Sequence, residues 1–132
     1  MNVILSIKPK YVKHILDGTK KFEFRKIIFK QNVEKIYIYS SSPVMRIVAC
    51  FKIEYILAEK PSVLWDICSY NAGISYEEFN KYFSQKKVGY AIKITNLKIF
   101  EEPISPQSVI VNFKAPQSFM YIEKEIEKLI TI

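Results

Sequence analysis

Residues 18–25 read Gly-Thr-Lys-Lys-Phe-Glu-Phe-Arg, and the alternation that ends this stretch restricts the fold more than any other feature. Successive side chains of an extended strand point to opposite faces. Phe22 and Phe24 are therefore set for an apolar interior, while Lys21, Glu23 and Arg25 share the other side. Just before it, Tyr11, Val12, Ile15 and Leu16 recur at helical spacing and leave Lys10, Lys13, His14 and Asp17 outside the stripe. Pro9 suits the first turn of that helix, and Gly18 suits its left-handed cap. The chain must pass from helix to strand within a few residues. Such a strand is ordinarily a solvated edge; alternatively, its polar side gathers a lysine, a glutamate and an arginine into one site.

The remaining pattern is strand-rich. Residues 3–7 form a short apolar β run, and residues 33–39 form a second that stops at Ser40, Ser41, Ser42 and Pro43, where proline interrupts a ladder. Residues 45–57 are apolar enough to be buried on both faces for part of their length. Residues 61–68 read as a helix, which Gly73 breaks. Ser75 with Glu78 three positions on forms a capping box for a helix over residues 76–83. Residues 89–100 alternate as a half-buried strand, and Glu101 and Glu102 read as its solvated end. Residues 103–121, with Pro103, Pro106 and Pro116, are expected to be irregular apart from 109–111, and residues 122–130 to form a closing helix. Several short strands, few helices and no regular βαβ alternation argue for an α+β fold, a small mixed β-barrel with flanking helices.

At 132 residues, with 49% hydrophobic and 25% charged side chains, the chain is expected to be one globular domain over 1–132. Cys50 and Cys68 are too few for a disulfide scaffold, and Cys50 lies in an apolar run where a free cysteine behaves as a small hydrophobe. No apolar run approaches the ~18 residues of a membrane span, and the start lacks the charge and apolar pattern of a secretory leader. A reduced, cytoplasmic protein is expected. His14 has neither a second histidine nor a neighbouring cysteine, so it reads as a surface residue and no metal is expected.

Charge is unevenly placed. Residues 1–60 hold 12 Lys and Arg against 5 Asp and Glu, whereas residues 61–132 hold 8 against 8, so the first part carries all of the net +7. Within residues 8–30 the count is 8 to 2. Lysine abundance alone says little about a partner, but a basic patch concentrated in one place is the footprint of a polyanion.

The spacing of Gly18, Lys20, Glu23 and Arg25 resembles the GxKxxExR signature of the ASCH family, small PUA-like β-barrels associated with RNA. Residues 5–9 (Leu-Ser-Ile-Lys-Pro), 39–43 (Tyr-Ser-Ser-Ser-Pro), 89–92 (Gly-Tyr-Ala-Ile) and 115–119 (Ala-Pro-Gln-Ser-Phe) follow in the order expected of a stand-alone ASCH protein. The resemblance thus spans nearly the whole chain and implies a PUA-like pseudobarrel with the signature lining a cleft at one end. It makes Lys20, Glu23 and Arg25 cleft residues, with Ser6 to Lys8, Ser40 to Ser42, Gln117 and Ser118 on the rim. In a regular strand Lys20 and Glu23 face opposite ways, so Lys20 must sit in the turn after Gly18 for the three to converge.

Converged, these groups suit a polar anion. Arginine presents paired planar donors to a phosphate or a guanine edge, lysine adds a point charge, and a carboxylate accepts from exocyclic amino groups. Glu23, with cations on either side, is expected to stay ionised. Tyr37, Tyr39, Tyr90 and Phe119 would stack on unpaired bases if exposed, though core positions suit them better. The leading expectation is an RNA- or nucleotide-binding domain whose ligand-binding residues are Lys20, Glu23, Arg25, Lys8, Ser41, Gln117 and Ser118, with no cofactor. A second is a small amidohydrolase. The resemblance implies it because a branch of similar proteins hydrolyses the acetyl amide of N4-acetylcytidine with a lysine and a threonine. Lys20 matches the lysine, and Lys20 and Glu23 are the catalytic candidates, but Glu23 stands where that threonine is expected and offers no hydroxyl nucleophile. A third is a domain whose basic face meets a protein.

Overall fold

Two long antiparallel strands form the middle of the structure, a computed structural model that describes residues 1–129. They are β4 (Arg46–Glu59) and β5 (Gly89–Ile104), and around them β1 (Asn2–Ile7), β2 (Phe22–Arg25), β3 (Lys35–Ser40) and β6 (Phe119–Ile122) complete one mixed sheet in the order β2-β5-β4-β3-β1-β6. β1 and β3 run parallel, and the other neighbours run antiparallel. The helices are α1 (Pro9–Leu16), α2 (Pro61–Cys68) and α3 (Tyr76–Tyr82). The sheet curls so far that Arg25, on the β2 edge, donates to the Ser6 carbonyl of β1 at 3.2 Å. A curled half-barrel results, the small mixed architecture expected from the sequence.

Apolar side chains occupy three layers. Val3, Leu5, Ile7, Val12, Ile15, Ile38, Phe51 and Ile92 fill the concave interior under α1. Phe22 and Phe24 turn outward from β2 into a second core with Leu64 and Cys68 of α2, Phe79 of α3 and Phe83 just after it. Phe24 meets the Phe79 ring edge-on at 5.1 Å, a geometry contributing about 0.5–1.5 kcal/mol beyond area burial. Ile4, Tyr37, Tyr39 and Ile47 face the third core, closed by Ile126. Cys50 and Cys68 are free and buried. Among the described residues no helix is long and apolar enough to cross a membrane.

β2 is an edge strand whose polar side is not simply solvated: Lys21 is exposed, whereas Glu23 is buried. Three expectations need correction. β5 does not stop at Phe100 but runs through Pro103 to Ile104. Its register with β4 slips, Ala49 facing Ile99 while Ile47 faces Ile104, and this irregularity accommodates a proline that has no N–H for a ladder. Residues 109–111 are turn rather than a regular element, and the strand of the region is β6, paired with β1 from Leu5 opposite Phe119 to Asn2 opposite Ile122. The expected closing helix is replaced by the end of β6 and a 3-10 turn, Ile126–Lys128; Ile130 lies outside the described residues. That turn is pinned by the Tyr37 hydroxyl, which accepts from the Ile126 amide at 2.9 Å and donates to the Glu127 carboxylate.

Candidate nucleic-acid interface

The cleft begins with the turn that follows α1. Gly18 takes a φ of +87°, which favours glycine, and the turn is stitched by Lys20 N to the His14 carbonyl at 3.0 Å and Lys21 N to the Asn71 carbonyl at 2.8 Å. Lys20 therefore leaves the strand alternation and points to the same side as Glu23 and Arg25. It is only 3% exposed. Its Nζ donates to the Ala72 carbonyl at 2.7 Å, lies 4.0 Å from Glu23 Oε1 and sits 4.7 Å above the Phe24 ring. Burial pushes the Lys20 amine down from the ordinary lysine range, and the Glu23 carboxylate opposes the shift.

Arg25 binds the rim together. Nη1 donates to Glu23 Oε2 at 3.1 Å and to the Ser6 carbonyl, and Nη2 donates to Ser118 Oγ at 2.7 Å. The loop before β6 is drawn in by Ser6, whose hydroxyl donates to the Pro116 carbonyl at 2.7 Å and whose amide donates to the Ser118 carbonyl at 2.9 Å. Ser118 and Gln117, more than ninety residues from the signature, thus arrive beside it.

The resulting cleft has a volume of about 760 Å³, and Lys8, Ser41, Gln117 and Ser118 line it with Lys20, Glu23 and Arg25. Its ionic lining is one-sided: Lys8, Lys20, Arg25, Lys26 and Lys86 against Glu23 alone. Ser42 also lines it, while Ser40 is buried at the end of β3. Of the four aromatics considered for stacking, Tyr37 and Tyr39 are buried, and Phe119 packs edge-on against Phe29 at 4.9 Å. Tyr39 still lines the cleft; Tyr90 does not and is half-buried on β5. Thr19 is turned elsewhere, its hydroxyl donating to Asp17 Oδ1 at 2.6 Å.

Sequence reasoning missed two aromatic contributors. Ser75 caps α3 as expected, its hydroxyl accepting from the Glu78 amide at 3.1 Å, but the Glu78 carboxylate does not return to the Ser75 amide. It accepts instead from Lys10 Nζ and the Tyr11 hydroxyl. Those bonds hold Glu78 below the usual carboxylate range, and burial followed by the bond to Glu78 pushes Tyr11 up. Tyr11 belongs by its spacing to the apolar stripe of α1, yet it lines the cleft, with Lys20 Nζ 5.4 Å from its ring centroid. The second is Tyr82, also lining the cleft, with Lys26 Nζ 4.6 Å from its ring centroid. The pairing of Lys10 and Tyr11 with Glu78 had no local signal, because it joins the starts of two distant helices.

Among the described residues no group of three or more His, Cys, Asp or Glu is arranged to hold a metal ion. Comparison with known proteins agrees with the architecture. The family model described as "Domain of unknown function (DUF365)" matches residues 1–114. The ASCH domain-containing ribonuclease of Zymomonas mobilis subsp. mobilis is 26% identical over 137 residues, covering 98% of this chain and 90% of that protein. The crystal structure of ASCH from Zymomonas mobilis superposes with a TM-score of 0.87 at 25% identity, over 96% of this chain and 91% of that one. The N-terminal domain of Staphylothermus marinus McrB shares the fold more distantly, with a TM-score of 0.52 at 14% identity over 82% of this chain and 78% of that one.

Proposed function

Because the chain belongs to the DUF365 family and is an ASCH-domain protein, we propose that it binds single-stranded RNA, seating a nucleotide in the cleft floored by Lys20, Glu23 and Arg25. The observation that carries this reading is the charge of the lining, five cations against one carboxylate around a cleft of about 760 Å³. That volume falls within the range of small-ligand sites. Lys8, Lys26 and Lys86 at the mouth suit the phosphates of an extended strand, and the buried groups suit the polar edge of a base. The relative named as a ribonuclease points to the same polymer. Hydrolysis of N4-acetylcytidine is less well supported, since Glu23 supplies no hydroxyl and the Thr19 hydroxyl is engaged with Asp17.

Strand cleavage is a second reading, and Lys20 favours it. An amine whose affinity for protons is lowered by burial is better suited to proton transfer near neutral pH than an ordinary lysine.

The test measures affinity of the wild type and Arg25→Ala for a short single-stranded RNA across a salt series, with RNA integrity followed on a gel and N4-acetylcytidine as a parallel substrate. The expected result is binding that falls steeply with salt and is about tenfold or more weaker in Arg25→Ala, because removing the guanidinium frees both Glu23 and Ser118. Equal, weak binding by both proteins contradicts the placement of RNA in the cleft. Deacetylation of the nucleoside without RNA binding transfers the function to the hydrolase reading.

A further inference from the structure

The floor of the cleft presents its hydrogen-bonding groups in a definite order. Glu23 lies between the two cations, Oε1 facing Lys20 Nζ at 4.0 Å and Oε2 accepting from Arg25 Nη1 at 3.1 Å. The separation from Lys20 exceeds hydrogen-bond reach, so Oε1 keeps acceptor capacity. Lys20 carries three donors, one of which goes to the Ala72 carbonyl. The bonds of Arg25 to Ser6, Glu23 and Ser118 leave N–H groups of its fork uncommitted. All three side chains line the cleft, and Lys20 and Glu23 are 3% and 5% exposed. Read from Lys20 through Glu23 to Arg25, the row is donor, acceptor, donor.

We propose that this row reads the imide edge of a uracil base, making the site selective for uridine within single-stranded RNA. The inference rests on the RNA-binding reading above and specifies its ligand. The Watson–Crick edge of uracil runs carbonyl O4, N3–H, carbonyl O2, which is acceptor, donor, acceptor, the complement of the floor. No other standard RNA base offers that order. Cytosine presents an amino donor followed by two acceptors, guanine an acceptor followed by two donors, and adenine an amino donor beside an acceptor. N4-acetylcytosine retains the two adjacent acceptors of cytosine and matches the row no better. A mismatched base would set a ring-nitrogen lone pair against the Glu23 carboxylate or an amino group against Lys20 or Arg25, and in a desolvated site an unmet polar group is costly.

The experiment compares six-nucleotide oligomers of uridine, cytidine and N3-methyluridine at one salt concentration by fluorescence anisotropy. Uracil and cytosine are of equal size, so fit to the cleft does not separate them, and the methyl group removes the N3–H while leaving both carbonyls. Uridine is expected to bind about tenfold tighter than cytidine, within the range of a good two-point base contact, and N3-methyluridine to fall to the cytidine level. Glu23→Gln, which replaces one acceptor oxygen with a donor, is expected to narrow the ratio of uridine to cytidine affinity. Uridine and cytidine bound within about twofold of each other, or N3-methyluridine bound as well as uridine, overturns the uracil assignment while leaving RNA binding intact. No binding by any oligomer overturns both.

Discussion

Lys20 is the residue in which fold and site meet. A cation only 3% exposed is costly unless paired and hydrogen-bonded, and here Ala72, Glu23 and the Phe24 face share that task. The sign of its pH effect follows. Below its folded-state pKa, Lys20 is protonated in both states and the fold bears the full penalty of a buried charge. As pH rises through that value toward the ordinary 10.5, the folded protein sheds the proton before the unfolded chain does, and stability increases. Wild type is therefore expected to gain stability relative to Lys20→Met between pH 7 and 10, read as the difference in denaturant midpoints. A difference that stays flat over that range means burial has not lowered the pKa. Tyr11 acts in the opposite sense: its raised pKa favours the fold below about pH 10 and that contribution is lost above it, so only the difference between variants isolates Lys20.

At the scale of elements, the segment joining α2 to α3 shapes the cleft wall. Gly73 has a φ of +62°, and a Cβ added there would stand 2.3 Å from Lys20 Cβ and 3.0 Å from Lys20 Cα. Gly73→Ala thus combines left-handed strain, about 1–2 kcal/mol, with displacement of Lys20. It is expected to lose RNA affinity together with stability. Ser75→Ala, a few residues on, removes the cap of α3 at a cost of about 1 kcal/mol and leaves Lys20 in place, so affinity at a temperature where it remains folded should be unchanged. Thermal melts and binding curves on the two variants separate cleft geometry from general loss of stability. The helix, glycine and strand of residues 9–25 were legible because each carries its own chemistry: a stripe, a cap and a period of two. Position 20 was legible only through the demand that three side chains converge. The prolines around β6 obscured it, since four residues between Pro116 and the closing turn show little periodicity and are held by pairing to β1, a partner at the far end of the chain.

Over the whole molecule, the sheet curls until its β2 edge reaches β1 and the loop before β6, and Arg25 bridges them through Ser6 and Ser118. The opposite side is closed by the C-terminal turn, where Lys35 Nζ donates to Glu127 at 2.7 Å and to Glu125 at 3.3 Å beside the buried Tyr37. Tyr37→Phe leaves the Ile126 amide without its acceptor and is expected to cost about 1–3 kcal/mol, measured by chemical denaturation, with RNA affinity retained because the turn lies away from the cleft. Charge asymmetry was readable in the sequence, and much of it faces the cleft through Lys8, Lys20, Arg25 and Lys26. The contribution of Lys86, from beyond α3, was not, because only the fold brings it to the same mouth. The most direct test of RNA binding in this cleft is a titration of the isotopically labelled protein with a six-nucleotide uridine oligomer, followed by backbone amide chemical shifts. The largest changes are expected at Ser6 to Lys8, Lys20 to Ile27, Ser41, Ser42, Gln117 and Ser118. Changes concentrated instead around Phe29 to Val33, which line a separate groove, with the cleft amides unmoved, would contradict it.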